Sequence, residues 1–142
     1  MKRLKLQTGS NIVEFALILP LLLVLVFGII DFGLALFDKA VITNASREGA
    51  RAGMVFNVPR LTDDQIRAVV QTYAGNYLVT FGTPNLQTTI TRVDVDGVGG
   101  NTSSGDTLSV RVDYPYNYLV MNKLIPALGS LNLSSTSVMR YE

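Results

Sequence analysis

Hydrophobic positions are concentrated near one end of the chain. Residues 12–37 are apolar or small except for Glu14 and Asp31. About 20 helical residues cross the roughly 30 Å core of a bilayer. A soluble helix of this character would need a much larger protein around it, so the pattern predicts a membrane-spanning helix over residues 10–37. Pro20 lies inside it and frees one backbone carbonyl, which predicts a kink or a local melt.

The pattern after this stretch is that of an amphipathic helix. Small and apolar residues recur at helical spacing on one face: Val41, Ala45, Gly49, Ala52 and Phe56. We therefore expect the first helix to run on, to about residue 56, through a membrane-distal extension assigned to residues 38–60. A second helix is predicted over Thr62–Leu78, because Thr62 and Gln65 have the spacing of a capping box.

Alternating apolar and polar residues dominate the remainder. Residues 89–95 and 108–114 predict two strands of a hairpin, and residues 131–141 predict a third strand with a weak register. Pro115 is expected to end the second strand. Residues 61–142 thus form a small globular domain. The predicted fold class is α+β and pilin-like, with a long N-terminal helix and a second helix packed on an antiparallel sheet of about three strands.

Composition removes several function classes. The chain has no Cys and no His, and its net charge is +1. Thiol nucleophiles, disulfides, histidine bases and the commonest zinc ligands are excluded, and no bulk attraction to nucleic acid is implied. The acids are scattered, so we expect no enzyme, no cofactor and no metal site. The loop from Asp94 to Asp106 offers oxygen ligands for calcium, but its spacing does not fit an EF-hand loop.

The junction between the basic start and the apolar run holds the most informative residues. Lys2, Arg3 and Lys5 precede Gly9 and Ser10. This basic cluster predicts a cytoplasmic N-terminus. Glu14 and Phe15 then open the apolar run. A charge within hydrocarbon costs about 2.5–3.5 kcal/mol on insertion scales. Taken alone, Glu14 is an acid that reaches the headgroups.

Gly9, Glu14-Phe15 and the hydrophobic run together resemble the processing site of type IV prepilin-like proteins. Within that superfamily the chain is most similar to the TadE-like pseudopilins of the tight-adherence (Flp) pilus systems. The resemblance covers residues 9–53 and rests on three stretches: Val13–Leu23, Gly28–Gly33 and Asn44–Gly53.

The resemblance implies a function and a set of partners. A prepilin peptidase would remove a basic leader, residues 1–9, by cutting between Gly9 and Ser10. The mature chain would be a minor pilin-like subunit of a type IVc pilus machine in the bacterial inner membrane. It would meet other pilin-like subunits and an assembly platform. The main fibre subunits of the family are far shorter, so a folded domain of this size implies the minor role.

Physical reasoning gives the residues of this motif separate roles. Gly9 has no side chain, which suits an extended backbone in a protease groove. Cleavage would create a charged amine beside an apolar helix, and the carboxylate of Glu14, one turn along, could neutralise it.

Four further residues are candidate contacts between subunits: Pro20, Asp31, Gly49 and Gly53. For Asp31 the simpler interpretation is an interfacial residue at the outer end of the span. Gly49 and Gly53 could equally face the protein's own strands.

Two alternatives to the pilus hypothesis remain open. One is an uncleaved single-pass membrane protein that presents an extracytoplasmic binding or adhesion module. The other is a secreted domain released after Ala35, because Gly33-Leu34-Ala35 has the small residues of a signal-peptidase site.

Overall fold

The computed structural model describes residues 8–55, 60–81, 85–94, 105–126 and 129–141, with side chains from Asn11 onward. The elements, in chain order, are α1 (Thr8–Met54), α2 (Asp63–Tyr77), β1 (Gln87–Val93), β2 (Thr107–Tyr116), α3 (Met121–Leu124) and β3 (Leu131–Arg140). The predicted α+β class is confirmed, with a long apolar N-terminal helix, a second helix and a three-stranded antiparallel sheet.

Helix α1 is continuous over 47 residues, including Pro20. The local melt expected at Pro20 is not observed. A prolyl residue removes one hydrogen bond from the helical ladder, and the bonds on either side of it keep the helix intact. The helix ends at Met54, close to the predicted end near residue 56.

The surroundings of α1 change abruptly after residue 30. In residues 11–30 no side chain is buried, and this stretch is long and apolar enough to cross a membrane. At 1.5 Å per residue it extends for about 30 Å, the thickness of a bilayer core. Burial begins at Asp31 and recurs on one helical face at Ala35, Asp38 and Ile42. The domain therefore already contacts residues 31–37, which the sequence assigned to the span.

The N-terminus of α2 has the capping box that the sequence predicts. The amide of Gln65 donates to Oγ1 of Thr62 at 3.4 Å, and the amide of Thr62 donates to Oε1 of Gln65 at 2.9 Å. Because the first amides of a helix have no partner within it, these bonds fix where α2 begins. Its buried face consists of Ile66, Val70 and Ala74, which lie against α1 and the sheet.

The strands form one antiparallel sheet in the order β1-β2-β3. The prediction that Pro115 ends the second strand is wrong, since β2 continues to Tyr116 and Pro115 pairs with Asn132. The last pair between β1 and β2 is Gln87 with Asp113. Beyond that pair β2 has a neighbour on one side only, and such an edge tolerates a prolyl residue.

The core lies between the two long helices and the inner face of the sheet. Alternate residues of β2 supply its centre: Leu108, Val110, Val112, Tyr114 and Tyr116. Helix α1 approaches α2 and β2 closely because it carries glycines there. A Cβ atom on Gly49 would lie 2.5 Å from Cγ2 of Val70, and one on Gly53 would lie 2.5 Å from Cδ2 of Leu108. Both glycines are buried against the protein's own α2 and sheet, which is the second of the two possibilities that the sequence leaves open.

We predict that Gly49→Val lowers the free energy of unfolding by about 1–3 kcal/mol, because the added methyl groups overpack the contact with α2. Gly75→Val is the matched control, since a Cβ atom at Gly75 would meet nothing within 4 Å. The measurement is denaturant unfolding of the full chain in detergent micelles. Equal stabilities of the two variants would contradict the close packing of α1.

Candidate functional site

The predicted processing residues lie in the first turns of α1. The backbone of Thr8, Gly9 and Ser10 is helical. The extended backbone that a protease groove would require at Gly9 would therefore need this end of the helix to unwind first. Unwinding is least costly there, because the first amides of a helix have no partner within it. Farther along, Glu14 is exposed and Phe15 is 61% exposed.

Asp31 is the most extensively bonded acid at the end of the exposed stretch. It is only 1% exposed. Its Oδ1 accepts from the amide of Leu119 at 2.9 Å, and its Oδ2 accepts from the amides of Val120 at 3.2 Å and Met121 at 2.9 Å. The hydroxyl of Tyr116 donates to its backbone carbonyl at 3.2 Å. Such charge-assisted bonds from backbone amides offset the cost of burying the carboxylate.

Asp31 lies at the outer end of the exposed stretch, where the simpler interpretation of the sequence places it. These bonds add a role within the chain that the sequence does not reveal. The carboxylate joins α1 to the connection between β2 and α3 within the same chain. The bonded amides lie just before α3 or in its first residue. The first amides of a helix have no hydrogen-bond acceptor within it, so the carboxylate of Asp31 caps the N-terminus of α3 from a distant position in the chain.

A second buried acid follows two turns along the same face of α1. Oδ1 of Asp38 accepts from the amide of Val79 at 2.9 Å, just after α2. Its Oδ2 is buried and has no hydrogen-bond partner among the residues that the structure describes. Loss of solvation raises the pKa of Asp38, and the bond from Val79 offsets part of that rise.

The tyrosines of β2 lie against these acids. Burial, with smaller contributions from the charges of Asp31, Asp38 and neighbouring tyrosines, raises the pKa of Tyr116 to about 12. Burial also raises the pKa of Tyr114, with a further contribution from Asp38. A phenol with the ordinary pKa of 10.0 is already protonated at neutral pH, and the raised pKa of Tyr116 keeps its hydroxyl available as a donor to α1 in more alkaline solution as well.

Hydroxyl groups continue the polar contacts along α1. Oγ of Ser46 is buried and lies 2.8 Å from Oγ of Ser137 and 3.4 Å from Oγ of Ser135. Lys39 donates to the backbone carbonyl of Ser134. The Ser/Thr run that weakened the sequence-based register of β3 therefore supplies contacts to α1.

Sequence reasoning missed Asp38 and Ser46 as contacts of the domain. A signal was present for Asp38, because it follows Asp31 by seven positions and so falls on the same helical face. For Ser46 the sequence offers no comparable signal, since its partners lie far along the chain. Most of the proposed calcium loop, residues 95–104, lies outside the described residues, so that hypothesis has no test here.

We predict that Asp31→Ala destabilises the domain by about 1–3 kcal/mol, because three partly buried amides lose their shared acceptor. Hydrogen exchange at the amides of Leu119 and Met121 should accelerate, which locates the loss. Asp64→Ala is the control, because the Asp64 side chain is 90% exposed and its ion pair with Arg67 is a surface pair. Similar effects of the two substitutions would contradict the capping role.

We also predict a pH-dependent difference between the wild-type chain and Asp38→Asn. The ordinary pKa of the carboxyl is 3.8, and the folded value is higher. Above pH 3.8 the folded chain retains a proton that the unfolded chain releases, so the Asp38 contribution to stability falls as pH rises to the folded pKa. Asp38→Asn should therefore gain stability relative to the wild type over that window. Parallel pH profiles in unfolding experiments would refute the assigned environment.

Residues 9–51 match the sequence model of the family described as TadE-like protein. No curated protein and no solved structure matches the chain. The match begins at Gly9 of the processing motif, includes Glu14 and Asp31, and ends in the last turn of α1. The resemblance predicted from the sequence is thereby confirmed: residues 9–51 are similar to the TadE-like family.

Proposed function

We propose that the protein is a minor pilin-like subunit, a pseudopilin, of a tight-adherence type IVc pilus machine. The observation that carries this proposal is the TadE-like match over residues 9–51. It covers the processing motif and the exposed apolar helix in one continuous segment. The attached domain supports the minor role, since it packs on α1 and makes the chain far larger than a helix alone.

The apolar stretch supports a single-pass anchor in the bacterial inner membrane. Residues 11–30 have the length and exposure that a lipid environment requires. The dense basic cluster of Lys2, Arg3 and Lys5 lies on their N-terminal side, whereas the basic residues on the other side are more spread out. That asymmetry favours a cytoplasmic N-terminus and an extracytoplasmic domain. A prepilin peptidase at the cytoplasmic face would reach the bond between Gly9 and Ser10 there.

Maturation would create the charge that Glu14 balances. Cutting at Gly9 leaves the amine of Ser10 about one helical turn from the carboxylate of Glu14. A lone amine and a lone carboxylate are each costly among apolar helices, whereas a bonded pair is far less so. The pair could form within one chain or between neighbouring subunits. Pairing of the new amine with the carboxylate of Glu14 would let α1 enter an assembly of other pilin-like subunits on the inner-membrane platform.

We predict that the mature protein, purified from a host that carries the pilus system, lacks residues 1–9 by mass spectrometry. Gly9→Leu should leave the precursor uncut, because a large side chain would obstruct the protease groove. Gly28→Leu is the matched control and should be cut normally, since it lies in the same helix with nothing within 4 Å of a Cβ atom. An intact N-terminus would support the uncleaved anchor, and loss through about Ala35 would support the secreted domain.

A separate prediction concerns the charge pair. Glu14→Ala should be cut like the wild type but should impair pilus assembly, scored by electron microscopy and by the amount of sheared fibre. Glu48→Ala serves as the control, because Glu48 is a helical carboxylate that pairs with Arg51 outside the apolar stretch. Normal piliation of the Glu14 variant would refute the pairing mechanism without affecting the cleavage result.

A further inference from the structure

We propose that the domain rests on the outer surface of the phospholipid bilayer through an apolar rim at the end nearest the span. The rim consists of four side chains around α3: Leu119, Leu124, Ile125 and Leu131. This contact goes beyond the proposed function and requires only that α1 crosses a membrane. It commits to lipid as the occupant, and more specifically to an anionic phospholipid surface.

The bonds of Asp31 set the height of this rim. Asp31 is the first residue after the exposed stretch 11–30. The amide nitrogens of residues 119–121 lie within 3.2 Å of its carboxylate oxygens. Side chains of a helix lean toward its N-terminus, so the contact lies level with the last turn of the apolar stretch. Helix α3 is a single turn of about 6 Å. Leu119, Leu124 and Ile125 therefore stay close to the level at which the span ends.

The sheet brings the fourth residue of the rim to the same level. Leu131 opens β3 and pairs with Tyr116, whose hydroxyl donates to the backbone carbonyl of Asp31 at 3.2 Å. The membrane end of the sheet and α3 are therefore fixed to the same turn of α1. A bilayer that surrounds residues 11–30 would meet this end of the domain in every copy of the chain.

The rim presents apolar surface that the fold leaves uncovered. Leu124 is 49% exposed and Ile125 is 42% exposed, and both Leu119 and Leu131 are 38% exposed. The exposed side of α1 also continues in apolar residues past the span, at Phe32 and Leu36. Grouped apolar side chains at one end of a domain indicate an interaction surface. The bilayer around the adjoining span already lies next to that end of the domain, so lipid is the occupant that we propose.

Charge favours the same occupant. The sequence has no acidic residue between Asp113 and Glu142, and Lys123 lies within the rim on an exposed position. Asp31 is an acid at this end of α1, but it is buried and bonded to amides. Apolar side chains interspersed with an exposed cation are typical of surfaces that lie in the headgroup region of anionic membranes.

The test uses the absence of Cys from the chain, which makes single-cysteine labelling clean. Leu124→Cys and Ile125→Cys are labelled with an environment-sensitive fluorophore in the full chain. The variants are reconstituted in phosphatidylethanolamine and phosphatidylglycerol vesicles that contain a lipid spin-labelled near the headgroup. Val138→Cys is the matched control, because Val138 is apolar and 62% exposed but lies roughly 20 Å farther along β3 from Leu131. Ile29→Cys, at the outer end of the exposed stretch and 66% exposed, sets the level of full lipid contact at headgroup depth.

We expect quenching at positions 124 and 125 to be several-fold stronger than at position 138 and to approach the level at position 29. The emission at positions 124 and 125 should also shift to the blue relative to position 138. Quenching at 124 and 125 no stronger than at 138 would overturn the proposal. Weak quenching together with efficient disulfide crosslinking between copies at position 124 would overturn it in favour of a second chain. Neither outcome depends on cleavage at Gly9, so the maturation hypothesis is judged separately.

Discussion

The arrangement of this protein depends on how the carboxylate of Asp31 is satisfied. Burying an acid of an apolar helix is costly unless every carboxylate oxygen is hydrogen-bonded. The carboxylate of Asp31 accepts hydrogen bonds from three amides in the connection between β2 and α3. Those donors lie far along the chain, so the bonds can form only when the sheet end sits against one turn of α1. The same contact separates an exposed apolar segment from a helix whose inner face is core.

Polar groups farther along α1 complete the alignment. Gly49 and Gly53 let the helix approach α2 and the sheet closely, but such small residues present little shape that would prevent sliding. Hydrogen bonds at Asp38 and Ser46 form in one register only. Asp38 is the less complete of these contacts, since one of its oxygens has no described partner and its pKa is raised by burial. The register of α1 on the domain therefore depends on polar positions as much as on apolar packing.

Local patterns in the sequence predicted most of the elements. The capping box at Thr62 located the start of α2, and alternation located the strands to within about two residues of their observed positions. The candidate motif at Gly9 and Glu14 was recognisable because its residues are neighbours in sequence, and the family match begins there. Each of these features depends on residues that are close together along the chain.

The features that the sequence did not reveal depend on residues that are far apart along the chain. Periodicity assigns Asp31 and Gly53 to faces of a helix but does not reveal what those faces meet. Their partners, Met121 and Leu108, are set by the tertiary fold. Pro115 was misjudged for the same reason, because a prolyl residue is tolerated in β2 only where β1 has already ended.

The continuity of α1 has a mechanical consequence. The helix is 47 residues long, about 70 Å, and its contacts with the domain are spread from Asp31 to Gly53. A force that pulls on the N-terminal end is transmitted along a single rod, without a joint at Pro20 that could extend. The carboxylates, the hydroxyl contacts and the glycine packing then bear that load together in shear. Extraction of α1 from a bilayer would thus move the helix and the domain together as one rigid body.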